Sequence, residues 1–469
     1  MKTFQDLQAL GDNEKTRMKF VLDAIAEHKA SEDYKIAQDA ELYATGKNAT
    51  IMAYQKILYN FKGEPVKDLW SANHKCASGF FKRFVIQEVS TLLGNGITFE
   101  NKETEKALGK TFGKRIIDGA KKALRQKMVF GFFNKDHIEI YDFLSFVPLI
   151  DEEDGSLKAG IRFWQIDDTK PLRATLFEID GYTDYIKRKD EEIAVRNEKR
   201  AYIIGATGDQ KDVEDGTLEY VDKNYPRFPI VPFYANSDHQ SDIVGYREQI
   251  DCYDLIKSGF ANDVDEASAI YWTIQNASGM DDVDLAKFVE RMRTVRAAAV
   301  EDDGAKAEAH TVDVPYQARE AALTRLEKDL YKDAMALDVE QIAAGQVTAT
   351  QIEAAYEPLN EKLDDFEYCV TEFIQGILEV AGIIDTPTYT RSIISNTTET
   401  IENIISAADY LDEEYVTEKI LTIFGDADKV DEVLKKKDAE KIERYAQIEA
   451  ENEELKNEMA KEDEQNDAR

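Results

Sequence analysis

A stripe of apolar residues between Ile352 and Val380 constrains the fold more than any other part of the chain. Its members recur at alternating intervals of four and three residues: Ile352, Tyr356, Leu359, Leu363, Phe366, Val370, Phe373, Ile377 and Val380. This spacing keeps them on one face of an α-helix, which at ~1.5 Å per residue would be roughly 43 Å long. Pro358 lies inside it and removes a backbone donor, so we expect a long, kinked helix. Such a helix runs between domains or subunits, or its stripe serves as an ordinary core face.

The rest of the pattern predicts an α+β fold that is mainly α-helical with an antiparallel β region. From His137 to Asn236, short aromatic and β-branched segments are separated by Asp-Gly pairs, which is typical of hairpins. Amphipathic helices are predicted before this region, at Asn13–Lys29, from Ser31 to about Gly46, at Trp70–Leu93 and at Lys106–Val129.

Two further long helices follow the β region and enclose a smaller module. They extend from Ser241 to about Ala269 and from Ala318 to about Leu337. Between them we predict strands at Ala269–Gln275, Val295–Val300 and His310–Val314 and a helix at Asp281–Arg293. The expected shape is a helical hairpin with a small α/β module inserted at its tip.

The segment Asp338–Thr350 connects this hairpin to the long helix. Its small residues and its glycine predict a loop. Beyond the long helix we expect one helix from Thr400 and another that ends at Phe424. The tail from Asp426 is predicted to be an exposed, charged helix that frays into disorder.

The charge balance excludes some function classes. The formal net charge is −34, from 93 acidic and 59 basic residues. Nucleic acid and anionic membranes repel such a chain, which argues against tight DNA wrapping but not against a surface that DNA slides past. The three scattered cysteines predict neither a disulfide framework nor a zinc site. No apolar signal core and no run of ~20 apolar residues occur, so we expect a soluble protein made in the cytoplasm.

Motifs that carry chemistry are nearly absent. Leu108-Gly109-Lys110-Thr111 lacks the first glycine of a phosphate-binding loop, since that position is Thr104. The run Asp151–Asp154 is either a divalent-cation site or, as we favour, a solvated turn. The five histidines show no spacing typical of metal ligands. We therefore predict no catalytic residue, no metal site and no cofactor.

Three arginines, Arg291, Arg293 and Arg296, leave two interpretations open. They could contact a partner or a phosphate group. They could equally form a solvated helix end that complements the helix dipole.

Several short motifs occur in an order that resembles one known family. They are Ala72-Asn73-His74-Lys75, Leu92-Leu93-Gly94-Asn95-Gly96-Ile97-Thr98, Val147-Pro148-Leu149-Ile150-Asp151-Glu152, Asp180-Gly181-Tyr182, Ile230-Val231-Pro232-Phe233, Asp313-Val314-Pro315-Tyr316 and Leu359-Asn360-Glu361-Lys362. In this order, from about Tyr43 to Phe424, the chain is similar to the portal proteins of tailed bacteriophages, specifically the SPP1-type family. No single motif is diagnostic, but the order along almost the whole chain is fairly specific.

The resemblance implies a portal-like fold with named parts. These are a wing (1–236), a stem helix (237–268), a clip (269–315), a second stem helix (316–337), a tunnel loop (338–350), a long wing helix with a following strand (351–399), and crown helices with the charged tail (400–469). The wing-helix core would be Ile352, Leu359, Leu363, Phe366, Val370 and Phe373. The tunnel loop would line the channel with Glu340, Gln341, Gln346 and Thr348, and the clip would contact partners through Arg291, Arg293 and Arg296.

The resemblance also implies a function. The chain would form a ring, usually a homododecamer, at one capsid vertex, through which double-stranded DNA is packaged and ejected without sequence-specific contacts. Its partners would be the terminase motor, a head-tail adaptor, and the major capsid and scaffolding proteins, with no membrane. It would be assembled in the cytoplasm of the bacterial host and reside in the virion.

Two other interpretations remain open at this point. An enzyme of unrecognised class would need a convergent cluster of titratable groups, which sequence alone neither shows nor excludes. A coiled-coil scaffolding protein would explain the apolar stripe and the tail, but not the β region of about a hundred residues.

Overall fold

The computed structural model describes residues 1–59, 63–68, 72–135, 137–203, 210–212, 218–220, 223–267, 271–275, 287, 290, 306–310, 315–343, 349–392, 397–424, 429–430, 432–444 and 447–448. The chain divides into two units. The first unit comprises Met1–Asp338 and Pro358–Ser392, and the second comprises Val339–Glu357 and Ile393–Arg469.

The described helices lie mostly at the two ends of the chain. Helices α1 to α7 are Phe4–Gln8, Glu14–Ala30, Glu32–Ala44, Ala49–Ala53, Phe80–Leu93, Lys102–Leu108 and Phe112–Gln126. Helices α8 to α13 are Arg247–Ala267, Tyr316–Asp333, Val339–Ala343, Ala349–Ala381, Thr397–Ala407 and Glu413–Phe424. Helix α11 is 33 residues long and contains Pro358.

The strands are concentrated in the middle of the chain. Strands β1 to β8 are Ile57–Tyr59, Pro65–Lys67, Ile97–Phe99, Met128–Asn134, His137–Asp142, Phe146–Ile150, Leu157–Trp164 and Leu172–Glu178. Strands β9 to β16 are Gly181–Lys187, Ala194–Arg200, Gln210–Asp212, Leu218–Tyr220, Ile230–Tyr234, Tyr271–Gln275, Lys306–His310 and Pro387–Tyr389.

Two antiparallel sheets dominate the first unit. One has five strands in the order β10-β9-β8-β7-β6, and the other has three in the order β13-β4-β5. The prediction of a mainly helical α+β fold with an antiparallel β region is confirmed. Shorter antiparallel pairs join β1 to β2, β11 to β12, β14 to β15, and β16 to β3.

The five-stranded sheet is covered by helix α2. Val21, Ala24 and Ile25 of this helix are buried in one cluster with Val147 and Ile161 of the sheet. The alternation of buried and less buried residues along β9 agrees with a strand that has one face on the core.

The three-stranded sheet carries packed layers on both faces. Phe130 of β4 packs against Phe146 of the five-stranded sheet, with ring centroids 4.2 Å apart. Gly131, the next residue, points to the opposite face, where a Cβ atom would lie 2.5 Å from the ring of Phe373 in α11. Gly131 pairs with Ile140 of β5, and Ile140 contacts Gly119 of α7. Helices α7 and α11 therefore lie on the same face of this sheet.

Two glycines, Gly376 in α11 and Gly131 in β4, allow α11 to approach the sheet closely. A Cβ atom at Gly376 of this helix would lie 2.7 Å from Val231 of β13, and the space above Gly131 is filled by Phe373. Phe373 also stacks on Phe233, with ring centroids 4.6 Å apart. The residues of the apolar stripe are buried, with at most 9% of the surface of any of them exposed.

The structure differs from the predicted elements at the start of α5. Of the predicted helix Trp70–Leu93, the residues from Phe80 onward are helical, while the described residues 72–79 belong to neither a helix nor a strand. In this segment the backbone N–H groups of Cys76 and Ser78 donate to Ser258 and Asp254 of α8. These tertiary bonds satisfy donors that helix formation would otherwise use.

A second difference concerns the segment after α5. The predicted helix Lys106–Val129 is two helices, since Gly109 has a φ of 85° and ends α6. Met128 begins strand β4, which is buried along most of its length. A continuous apolar run in a fully buried strand has no alternation, so its pattern merges with that of the helix before it.

The remaining differences are smaller or fall at segment ends. The predicted helices Ser241–Ala269 and Ala318–Leu337 correspond to α8 and α9. His310, the first residue of the predicted strand His310–Val314, is the last residue of β15, and the other four residues of that prediction lie outside the described residues. The predicted loop Asp338–Thr350 includes the short helix α10 and the first residues of α11. The predicted strand Val295–Val300, almost all of the predicted helix Asp281–Arg293 and much of the tail lie outside the described residues.

Candidate functional site

Helices α5, α8, α9 and α11 meet around a small buried group of charges in the first unit, which we call the helix junction. Lys362 of α11 places its Nζ atom 2.8 Å from a carboxylate oxygen of Glu88 in α5. The same Nζ atom lies 2.7 Å from a carboxylate oxygen of Asp242, in the turn that precedes α8. The side chains of Glu88, Asp242 and Lys362 are only 2%, 8% and 18% exposed. One lysine therefore connects three elements that are far apart in sequence.

Local hydrogen bonds hold Asp242 in place. Its backbone N–H donates to the carbonyl of Leu124, and the hydroxyl of Ser241 donates to the carbonyl of Arg125. The phenol of Tyr246 donates to the second carboxylate oxygen of Asp242, over 2.8 Å. The end of α7 is thus fixed to the start of α8, and the carboxylate is aimed at Lys362.

The electrostatics of the helix junction follow from burial and charge. Burial raises the pKa of Glu88 to about 7, while Lys362 lowers it and the neighbouring Asp242 raises it again. Burial disfavours the charged form of Lys362, but Asp242 and Glu88 more than offset this and raise its pKa. Removing Lys362 would leave two buried carboxylates without a cation, and such a change typically costs ~3–5 kcal/mol.

Aromatic rings surround the junction and attach α5 to α8 and α9. Phe84 of α5 makes edge-to-face contacts with Tyr246 and with Tyr331 of α9, at centroid distances of 5.6 and 5.3 Å. Phe80 makes a similar contact with Tyr253 of α8. Such pairs stabilise by ~0.5–1.5 kcal/mol each beyond the area they bury.

Two amide hydrogen bonds fix the chain just after α9. The side-chain amide of Gln87 donates to the carbonyl of Leu337, and its oxygen accepts from the N–H of Leu337. Lys362 also reaches the carbonyl of Ala334, at 3.4 Å. The exit of α9 is therefore held against α5 and α11.

A second buried carboxylate, in the first half of α8, attaches this helix to the N-terminal part of the chain. Asp254 is fully buried and accepts hydrogen bonds from the amide of Asn48 and the N–H of Ser78. Burial raises the pKa of Asp254, and the bonds from Asn48 and Ser78 limit the rise. Nearby, Tyr43 donates to Asp251. Helix α8 is thus anchored along much of its length.

The described residues offer little for catalysis or metal binding. Burial raises the pKa of the Cys369 thiol to about 12, so it is not a ready nucleophile. Within the described ranges no group of three His, Cys, Asp or Glu side chains is placed to hold a metal ion. In the acidic turn Asp151–Asp154, Asp151 accepts from the amide of Gln5 and the N–H of Glu153, and Asp154 accepts from Ser156 and pairs with Lys158. Among the described helices, none combines the length and apolar character of a membrane span.

The residues predicted to be functional fall into three groups: some lie in the first unit, some in the second unit, and some outside the described residues. Leu359, Leu363, Phe366, Val370 and Phe373 are buried in the first unit, and Ile352, in the second unit, is also buried. Glu340 and Gln341 belong to the short helix α10 of the second unit. Gln346, Thr348, Arg291, Arg293 and Arg296 lie outside the described residues.

The helix junction was not predicted from the sequence. Lys362 lies three residues after Leu359 and four before Phe366, on the apolar side of α11. A lysine at such a position is expected to have a buried carboxylate partner, and this was the available signal. The identity of the partners could not be read from a local pattern.

Comparison with known proteins identifies the class to which this architecture belongs. The model of the family described as "Phage portal protein, SPP1 Gp6-like" matches residues 23–455. The chain therefore belongs to this family of phage portal proteins, and the predicted resemblance is confirmed. The family is structural, which also agrees with the prediction that the chain is not an enzyme.

Individual relatives are similar over shorter stretches. The portal protein of Clostridium phage phiCD119 is 26% identical over 253 residues, which cover 52% of this chain and 53% of that protein. The portal protein of Bacillus phage SPP1 is 26% identical over 194 residues, or 38% of each chain. The chain thus spans about half or less of the length of the curated relatives it matches. A chain in the neck of an empty GTA particle is 12% identical, with a TM-score of 0.40 over 74% of this chain and 90% of that one.

Proposed function

We propose that this chain assembles into a homododecameric ring at one vertex of a bacteriophage capsid. Double-stranded DNA passes through the ring during genome packaging and during ejection. The observation that carries the proposal is the match to the phage portal family over residues 23–455. The ring is assembled in the bacterial cytoplasm and remains in the virion.

The described elements support an assignment of the parts. Helices α8 and α9 are the stem, because they pack against each other and Arg319 of α9 pairs with Asp263 of α8. Strands β14 and β15, which pair antiparallel between these helices, belong to the clip (269–315). The wing comprises residues 1–236 and 351–399, and the crown with its tail comprises residues 400–469.

The helix junction has a defined role in this proposal. It connects the proposed stem to the proposed wing through Lys362, Glu88 and Asp242. Because buried ionic groups tolerate few alternative arrangements, the junction fixes the direction in which the stem leaves the wing.

The proposed channel must not retain DNA. A chain with a formal net charge of −34 repels the phosphate backbone. Residues 338–350 form the tunnel loop and present Glu340, Gln341, Gln346 and Thr348 to the DNA. These groups repel phosphate or bond to it weakly, so the DNA slides.

The proposed partners dock at the ends of the ring. The clip, with Arg291, Arg293 and Arg296, contacts the terminase motor during packaging and the head-tail adaptor afterwards. The major capsid and scaffolding proteins surround the wing. No metal ion or organic cofactor is required by this proposal.

Electron microscopy of the purified protein tests the proposal. The expected particles are annular, with a central hole, and light scattering gives the mass of a ring. Only monomers across a wide range of salt and protein concentrations would contradict it. A rod-like dimer or trimer would instead favour a coiled-coil scaffolding protein.

A further inference from the structure

One segment of this acidic chain carries a local excess of positive charge. Residues 102–127, which include α6 and α7, contain nine lysines and arginines and three acidic residues. Of these cations, Lys122, Arg125 and Lys127 form ion pairs with carboxylates of the same chain. Five others form no ion pair with any described residue and are exposed or half-exposed: Lys102, Lys110, Lys114, Arg115 and Lys121. We call these five residues the cationic face.

The exposed side of α11 has the opposite charge. Glu361, Asp364, Tyr368 and Glu372 recur at intervals of three and four residues, and all are exposed. We call these four residues the acidic face. Tyr368 is 67% exposed. Of the three carboxylates, Asp364 pairs with Arg391, whereas Glu361 and Glu372 form no ion pair with any described residue.

The two faces do not neutralise each other within one chain. Helices α7 and α11 lie on the same face of the three-stranded sheet, through Gly119 and Phe373. No ion pair among the described residues joins the cationic face to the acidic face. Each face is therefore available to another molecule.

We propose that the cationic face of one copy docks on the acidic face of α11 in the next copy. The inference rests on the proposed ring, since closing a ring requires two different, complementary patches on each subunit. Subunits with a net charge of −34 repel one another, so a local region of opposite charge must orient the encounter. The exposed ring of Tyr368 supplies an aromatic anchor that can stack on an arginine of the cationic face.

Charge reversal tests the pairing. The variant Lys114→Glu/Arg115→Glu should require roughly tenfold more protein for half-assembly, since like charges across an interface are costly. The variant Glu361→Lys/Glu372→Lys should have a similar defect. The four substitutions combined should restore assembly close to that of the wild type, as measured by light scattering and electron microscopy.

Net charge alone must be excluded as the cause of rescue. The variant Lys189→Glu/Arg196→Glu carries the same charge change on exposed positions of the five-stranded sheet region. It should assemble normally, and combining it with Glu361→Lys/Glu372→Lys should not rescue assembly. Circular dichroism checks folding, and Lys114→Gln/Arg115→Gln replaces the reversed variant if that variant does not fold.

The outcomes separate this inference from the proposed function. A wild-type protein that forms no ring contradicts the proposed function itself. A wild-type ring with unaffected assembly of the reversed variants overturns the docking proposal alone. So does rescue by the control combination.

Discussion

The ammonium group of Lys362 lies 2.7 Å from a carboxylate oxygen of Asp242, and both side chains are largely removed from solvent. Asp242 is attached through its own backbone to the end of α7, while Lys362 lies on α11. A buried pair of this kind fixes orientation more than it adds stability. Its value to the proposed portal is that the start of α8 cannot rotate freely relative to α11.

Replacing Lys362 with Met should destabilise the first unit. The change leaves Glu88 and Asp242 buried without a cation, and we expect a loss of ~3–5 kcal/mol in the free energy of unfolding. Urea denaturation followed by circular dichroism measures it. Lys189→Met, at an exposed position, serves as the control and should cost less than about 0.5 kcal/mol. A loss below about 1 kcal/mol for Lys362→Met would show that these charged side chains are not buried together as described.

Glu88 should make stability depend on pH. Its pKa is about 7 in the folded chain against a reference of 4.5, so between these values the folded state binds more protons than the unfolded state. Its contribution to stability is therefore greatest at low pH and declines as the pH rises from 4.5 to about 7. At ~1.4 kcal/mol per pH unit, the change approaches about 3 kcal/mol.

The variant Glu88→Gln should lack this dependence. Between pH 5 and pH 8, the unfolding free energy of the wild type should fall relative to that of Glu88→Gln. Glu192→Gln, at an exposed position between β9 and β10, is the matched control. A constant difference between the wild type and Glu88→Gln would mean that Glu88 is already ionised throughout this range.

Gly131→Ala should disturb the contact between the sheet and α11. The added Cβ atom would lie 2.5 Å from the ring of Phe373, so one of them must move. We expect a loss of ~1–3 kcal/mol in thermal or urea unfolding, with partial recovery in the double variant Gly131→Ala/Phe373→Leu. Gly113→Ala, where no atom lies within 4 Å of the new Cβ, should be neutral or slightly stabilising. No recovery by Phe373→Leu would place the strain elsewhere.

Gln346→Lys tests the proposed tunnel loop. In a ring it would introduce one cation per subunit at the narrowest part of the channel, and these cations would bind the phosphate backbone. We expect slow or arrested DNA packaging with an intact oligomer, whereas Gln346→Asn should package normally. Normal packaging speed with the lysines present, or a structure with this segment on the outside of the ring, would contradict the assignment.

The triple variant Arg291→Glu/Arg293→Glu/Arg296→Glu tests the proposed clip contacts. Ring assembly should be unchanged, while binding to the terminase motor and the head-tail adaptor should weaken by at least roughly tenfold, since rim charges control encounter. Co-sedimentation with each partner measures this. If the triple variant does not assemble, the arginines are structural. If the arginines only form a solvated helix end, neither ring assembly nor partner binding should change.

Local periodicity made the helical part of the fold predictable. The stripe from Ile352 to Val380 alternates by four and three, and α11 extends only a few residues beyond it at its start. The helix formed because a single face carries nearly all the large apolar side chains. Periodicity is a property of neighbouring residues, so it needs no knowledge of the partners.

Features that depend on distant residues were not predictable in this way. The segment 72–79 has helix-compatible residues, yet its N–H groups bond to Ser258 and Asp254 of α8. The helix junction depends on a pairing of Lys362 with Glu88, which nothing near either residue encodes. The sequence indicated that Lys362 was unusual, but only the fold supplies its partners.

The pairing of β3 with β16 has a consequence for biosynthesis. Thr98 and Thr388 face each other across this pair, with hydroxyl oxygens 2.7 Å apart, although the two residues are 290 positions apart in sequence. At ~5–20 residues per second, a ribosome needs roughly 15–60 s to deliver the second strand after the first. During that interval the nascent chain presents β3 as an uncovered edge, which is a site for misassembly with other nascent chains. We expect the yield of native subunits to depend on how well host chaperones shield this edge until translation has passed Tyr389.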